Sequence, residues 1–167
     1  MKPMQSITSN KYIIDVLNDN LITPVSELDE SLLREAATVL SGQRNFSAFT
    51  THKGRMDMLA KNSSPVKTLK ISFGSFEPFL WKYSKLHVYD DTDIKFIAIK
   101  FTAESFLLRM VRGLTSALIA VSTKQIPLSS LRDAFKFPHA FYFDRKLFHQ
   151  GFIDPQGLYL NSVSYPA

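Results

Sequence analysis

The stretch from Ser105 to Lys124, SFLLRMVRGLTSALIAVSTK, constrains the fold more than any other part of the chain. Leu107, Met110, Val111, Leu114 and Leu118 recur at helical spacing, so one long apolar stripe runs down one face of an α-helix. The remaining circumference is only partly polar, because Leu108 and Ile119 flank Arg112 on the helical wheel. A helix of this kind is expected at the centre of a layered domain, with the rest of the chain as its cover.

That cover is legible on both sides. PVSELDESLLREAATVLSG offers Ser26 as an N-cap, puts Glu27, Asp29 and Glu30 in the first turn, and stops at Gly42, where a left-handed C-cap is easy. Leu28, Leu32, Ala36 and Val39 fall on one side of this helix. TLKISFG, KLHVY and DIKFIAIKFTA alternate β-branched or aromatic residues with polar ones and are read as strands. PLSSLRDAF reads as a short helix starting near Pro127, FKFPHAFYFDRKLFHQGF as an irregular aromatic segment, and GLYLNSVSY as a closing strand. The sum is an α+β domain, with an antiparallel or mixed sheet and helices packed on one face. Residues 1–25 are a lead-in with a residual strand, and 26–167 form the domain.

At 167 residues, 45% hydrophobic and 21% charged, the chain has the size and balance of one globular domain. Fourteen phenylalanines exceed what such a domain needs for itself and point to contacts beyond this chain. Twenty Lys and Arg against fifteen Asp and Glu leave a net charge of +5, which suits an anionic partner such as nucleic acid. The absence of cysteine excludes a disulfide framework and a thiolate zinc site. No run approaches the roughly 18–20 apolar residues of a membrane span, and no signal-peptide core opens the sequence. No membrane association is expected; the expected setting is intracellular, cytoplasm or mitochondrion.

Four blocks in a fixed order carry a resemblance: NFSAF, SPVKTL, FLLRMVRGLTSALIAV and GLYLNSVSYP. Together, over about residues 26–166, they resemble the carboxy-terminal half of tRNA pseudouridine synthases of the TruA type. The corresponding family blocks are G-x-H-D-F-S-x-F, S-P-V-R-T-I, F-L-x-x-M-V-R and G-L-Y-L-x-x-V-x-Y. The resemblance implies half of a TruA-like fold and a cofactor-free isomerisation of uridine in tRNA, in which the base is detached and rejoined through carbon. It implies that Arg112, the arginine of M-V-R, makes an ion pair with the catalytic aspartate, and that Leu158 packs near the flipped base. A carboxylate at work in a dry pocket must stay ionised, and a guanidinium beside it holds both its charge and its orientation.

The chain departs from the family in informative places. The family aspartate lies in G-R-T-D-A-G-V-H, well before the N-F-S-A-F block, whereas the only similar stretch here, Gly54–Asp57 (GRMD), follows that block and lacks the continuation. A four-residue match is weak, so GRMD is read as a solvated loop. NKYIIDVLN resembles the family strand R-Y-x-Y-I-I; aligned on Tyr12, the stacking tyrosine is replaced by Asn10. Arg44 and Asn45 stand where the family has His-Asp, which is expected to weaken the local hydrogen-bond network.

Other residues carry two readings each. On helical geometry alone Arg112 falls with Ser105, Arg109 and Ser116 opposite the apolar stripe, a solvated face; the family pattern places it in a pocket. Lys67, at a family arginine position, is a phosphate contact or an exposed strand-end lysine. Phe135, Phe137, Phe141, Tyr142, Phe143 and Phe148 interleave with Lys136, Arg145 and Lys146, as in a stacking surface for unpaired bases, although core packing or a protein interface is the commoner use. Arg55, Lys67, Arg109, Arg145 and Lys146 are thus the candidate RNA contacts. His139, Asp144 and His149 match no metal-ligand spacing, so no metal is expected.

Two functions compete on this reading. One is a pseudouridine synthase domain that lacks the catalytic aspartate, is inactive alone, and works with an aspartate-bearing half, a homodimer partner or a larger assembly on tRNA or another structured RNA. The other is a non-catalytic RNA-binding or structural subunit that keeps the fold.

Overall fold

Asp29 sets the start of the first helix. Its Oδ1 accepts the Leu32 amide at 3.1 Å, its Oδ2 lies 3.4 Å from Lys124 Nζ, and its own amide donates to the Ser122 carbonyl at 2.9 Å. Helix α1 (Glu30–Leu40) therefore begins later than the sequence suggested, with Asp29 as the cap rather than a first-turn acid. In the computed structural model residues 8–9, 28–74, 97–138, 152–153, 155, 158–160 and 162–164 are described; Ser26, Glu27, KLHVY, residues 93–96 and the aromatic segment from His139 to Gly151 fall outside them.

The Leu32 amide, helped by Lys124, holds the Asp29 carboxyl below its ordinary value near 3.8. A depressed acid contributes stability above its unfolded pKa and loses it as pH falls through the folded one. Asp29→Asn keeps an acceptor but no charge, so wild type is expected to melt above the variant at neutral pH, with the gap closing as pH falls below the ordinary carboxyl value near 3.8. A gap that persists unchanged in acid would limit Asp29 to neutral capping.

The core-facing residues of α1 are Leu33, Ala36, Ala37 and Leu40, with Leu32 and Val39 only partly covered. Of the Leu28, Leu32, Ala36 and Val39 side read from the sequence only Ala36 is buried, so the apolar stripe is rotated relative to it. Gly42 follows with φ +96°, the left-handed conformation anticipated for it.

Strand β2 (Gly42–Asn45) pairs antiparallel with β3 (Val66–Gly74), placing Arg44 opposite Lys67. On its other edge β3 pairs with β4 (Ala98–Thr102), with Ile71 opposite Phe101 and Phe73 opposite Ile99. Two short strands complete the sheet: β1 (Thr8–Ser9) on β4 and β5 (Leu158–Tyr159) on β1. The order is β2-β3-β4-β1-β5, and every described pairing is antiparallel. Alternation along the strands turns Leu69, Ile71, Phe73, Ile99 and Phe101 to the core and leaves Lys70, Lys100 and Thr102 exposed.

Helix α3 (Met110–Ser122) is the central element. Every one of its residues except Arg112 is buried, and it packs against α1 and β1. It starts at Met110 rather than nearer Ser105, because Arg109 takes a left-handed conformation (φ +60°) that no helix can continue through. Helix α4 (Leu128–Lys136) begins after Pro127 as the sequence indicates and packs on α1. The closing strand is shorter than GLYLNSVSY: among its described residues only Leu158 and Tyr159 pair.

GRMD lies in a helix, not a loop. Thr51 Oγ1 accepts the Gly54 amide at 3.0 Å and opens α2 (His52–Ala60), which ends before Asn62 turns left-handed (φ +48°). The only buried residue of α2 is Gly54, so no apolar stripe announced it. No described helix is long and apolar enough to cross a membrane.

Candidate active site

The first turns of α3 are gripped from two sides, and the grip fixes Arg112. On one side lies NFSAF. Phe46 donates its amide to the Pro65 carbonyl at 3.0 Å, Asn45 Oδ1 accepts the Ser47 amide at 3.0 Å, and Ser47–Phe49 form a single 3-10 turn. Asn45, standing where the family has aspartate, thus still accepts one local bond. Thr50, immediately after, donates its hydroxyl to the Leu108 carbonyl at 2.8 Å, which ties this turn to the residues leading into α3.

Two glycines permit that approach. A Cβ on Gly113 would lie 2.9 Å from the Phe49 carbonyl oxygen and 2.8 Å from Phe152 Cε1. A Cβ on Gly54 would lie 2.2 Å from Thr50 Oγ1 and 3.1 Å from Leu108 Cβ. The glycine of GRMD is therefore a packing residue that lets α2 close on the loop. Arg55 beside it donates from Nη1 to the Thr50 carbonyl at 3.0 Å.

On the other side lies Phe152–Ile153. Arg112 Nε donates to the Ile153 carbonyl, the Ile153 amide donates to Ser116 Oγ at 2.9 Å, and Ser116 Oγ donates to the Arg112 carbonyl at 3.0 Å. This closed circuit ties the Arg112 side chain to the backbone of Ile153. Arg112 is half-buried and Ser116 is buried, so the solvated-face reading of these two residues fails. Helical spacing had put both opposite the main stripe; the segment at Phe152–Ile153, distant in sequence, covers that face.

At the start of α3 the FLLRMVR and NFSAF blocks thus touch, and SPVKTL joins NFSAF through the Phe46–Pro65 bond. The fourth supplies Leu158, half-buried in β5 and packed on the same core, one strand beyond the β1 against which α3 lies. Asp57 sits half-buried in the middle of α2, and among the described residues its carboxylate makes no ion pair. The candidate RNA contacts are scattered. Arg109 is exposed at the left-handed turn before α3, Lys67 is half-buried across from Arg44, and Arg55 is engaged with Thr50. Arg145 and Lys146, like His139, Asp144 and His149, lie outside the described residues.

Sequence reasoning passed over Thr50 and Ile153, and placed Ser116 beside Arg112 only as part of a solvated face. The signal for one of the contacts was present in Gly113, because a glycine inside an otherwise apolar helix often marks close backbone approach.

A family model described as tRNA pseudouridine synthase matches residues 36–166. The chain is 32% identical over 149 residues to tRNA pseudouridine synthase A of Cupriavidus necator, covering 87% of this chain and 43% of that protein. It is 34% identical over 140 residues to the proteins of the same name from Burkholderia mallei and Burkholderia thailandensis, covering 84% of this chain and 42% of each. The chain therefore spans about two-fifths of the length of the curated relatives it matches. The blocks that meet around Arg112 lie within the matched span, and the chain belongs to the tRNA pseudouridine synthase family, TruA type.

Proposed function

We propose that this chain is a TruA-like domain that contributes Arg112 and Leu158 to uridine isomerisation in tRNA and is inactive by itself. The observation that carries the reading is the fixed guanidinium. Arg112 stands in the family's M-V-R position on a buried helix, its Nε held by the Ile153 carbonyl, which Ser116 fixes in turn through the Ile153 amide, so its orientation is set before any carboxylate meets it. Preset orientation is what an ion pair needs to keep a reacting carboxylate ionised. The carboxylate itself has to come from elsewhere, because Asp57 belongs to a helix that uses its glycine for packing and lies after the N-F-S-A-F block. Its source is an aspartate-bearing half, a second copy or a larger assembly.

The pure chain is expected to leave unmodified tRNA free of pseudouridine, read as the absence of a carbodiimide-dependent stop in primer extension. Adding the aspartate-bearing half of a relative in trans is expected to restore the stop, and Arg112→Lys, which keeps the charge but not the planar fork, to abolish it. A stop made by the chain alone and lost in Asp57→Ala would overturn the proposal.

One observation favours a second reading. The bond from Arg112 to the Ile153 carbonyl is also what a purely structural arginine would make in a non-catalytic RNA-binding or assembly subunit. In that case complementation restores nothing, while Arg112→Lys lowers the melting temperature.

A further inference from the structure

A groove of about 430 Å³ opens between α1, β2 and α4, lined by Val39, Arg44, Arg132, Phe135 and Lys136. It shares no residue with the surroundings of Arg112. Three of the five lining residues are cationic, and Lys67 stands directly across the sheet pairing from Arg44. Like charges facing each other across strands are unfavourable, and neither ion pair among the described residues involves any of these four.

Ordinary structural roles account for part of the cluster. The Arg44 guanidinium lies 5.1 Å from the centre of the Phe135 ring and donates to the Ser41 carbonyl at 3.3 Å, and Lys136 sits in the last turn of α4, where a cation offsets the helix dipole. They do not account for Arg132, which is exposed and makes no hydrogen bond or ion pair among the described residues. The acids nearest in sequence, Glu35 and Asp133, do not line the groove.

Phe135 forms the floor. Its ring packs edge-on against Phe46 at 5.5 Å and beside Phe49 at 5.4 Å, so it is anchored in the core while Phe137 is 61% exposed. The groove therefore has one rigid wall and a guanidinium held in place on it, with Arg132 and Lys136 one helical turn apart on α4. Arginine forks match phosphate oxygens bidentately, and an open groove rather than an enclosed pocket suits a continuous chain of phosphates. We infer that this groove binds the phosphodiester backbone of RNA through Arg44, Arg132 and Lys136, as a contact separate from the Arg112 site. The inference rests on reading the chain as a domain that acts on RNA, and its test uses RNA without uridine, so that binding is measured apart from isomerisation.

Fluorescence anisotropy with a labelled oligocytidylate, titrated at several salt concentrations, compares wild type with R132A/K136A and with K53A/K61A. The second pair removes the same charge from exposed positions on or just after α2. If two phosphate contacts are lost, R132A/K136A binds about 25-fold more weakly near 0.1 M salt and its salt slope falls by about 1.4. K53A/K61A is expected to stay within about twofold of wild type. R132Q/K136Q, which keeps longer side chains at both positions, is expected to reproduce the loss, and circular dichroism melts confirm that each variant is folded. Equal weakening in both double variants, or no weakening in the groove variant, overturns the inference. It is likewise overturned if inorganic pyrophosphate binds in an Arg132- and Lys136-dependent manner while oligocytidylate does not, since the groove then serves a small anion.

Discussion

Leu118→Ala is expected to cost about 2–5 kcal/mol of folding free energy, a large fraction of the roughly 5–15 kcal/mol that holds a domain folded. Leu118 is fully buried on the central helix, in the cluster that also holds Leu33, Leu40, Phe49 and Leu114. Truncation loses the transfer free energy of the removed atoms and leaves a cavity inside this cluster, whose members come from several elements. The same truncation at Leu108, which is 43% exposed just before α3, is expected to stay within about 1 kcal/mol. Urea unfolding of the two variants checks this. Similar losses at both sites would mean that α3 is not the centre of the core.

Gly113→Ala tests the grip on Arg112, because two effects of opposite sign meet there. Helix propensity alone favours alanine by about 1 kcal/mol. Against it, the new methyl would stand 2.9 Å from the Phe49 carbonyl oxygen and 2.8 Å from the Phe152 ring, and the first of these is buried backbone that does not move aside. Overpacking of this kind typically costs about 1–3 kcal/mol, so net destabilisation is expected. Displacing Phe152 also strains its neighbour Ile153, the partner of Arg112 and Ser116. The variant is therefore expected to show faster amide exchange at Ile153 together with the lower melting temperature. A stabilised Gly113→Ala protein would show that α3 and the N-F-S-A-F turn are not in contact.

The family, the α+β class and the central helix were legible because each rests on local information: helical spacing in Leu107–Leu118, alternation in TLKISFG, and block order along the chain. Helix α2 was not legible, because a helix whose only buried residue is a glycine leaves no periodic apolar trace. The start of α3 was also hidden, since nothing in SFLLR signals that Arg109 turns left-handed. Within the aromatic segment the alternation of Phe135, Lys136 and Phe137 was visible, yet only packing showed that Phe135 joins Phe46 and Phe49 while Phe137 stays exposed.

By itself the sequence determined which residues are available: a guanidinium in M-V-R, a glycine after it, a serine one turn further on, and an aspartate in the wrong order along the chain for the family's catalytic motif. Whether Arg112 is solvated or covered was decided by the tertiary structure alone. Helical spacing can say only which residues share a face; what covers that face is set by contacts between residues far apart in the chain, here Phe152–Ile153 with Gly113 and Ser116. The same holds for the cationic groove, whose members come from α1, β2 and α4 and become neighbours only when those elements pack.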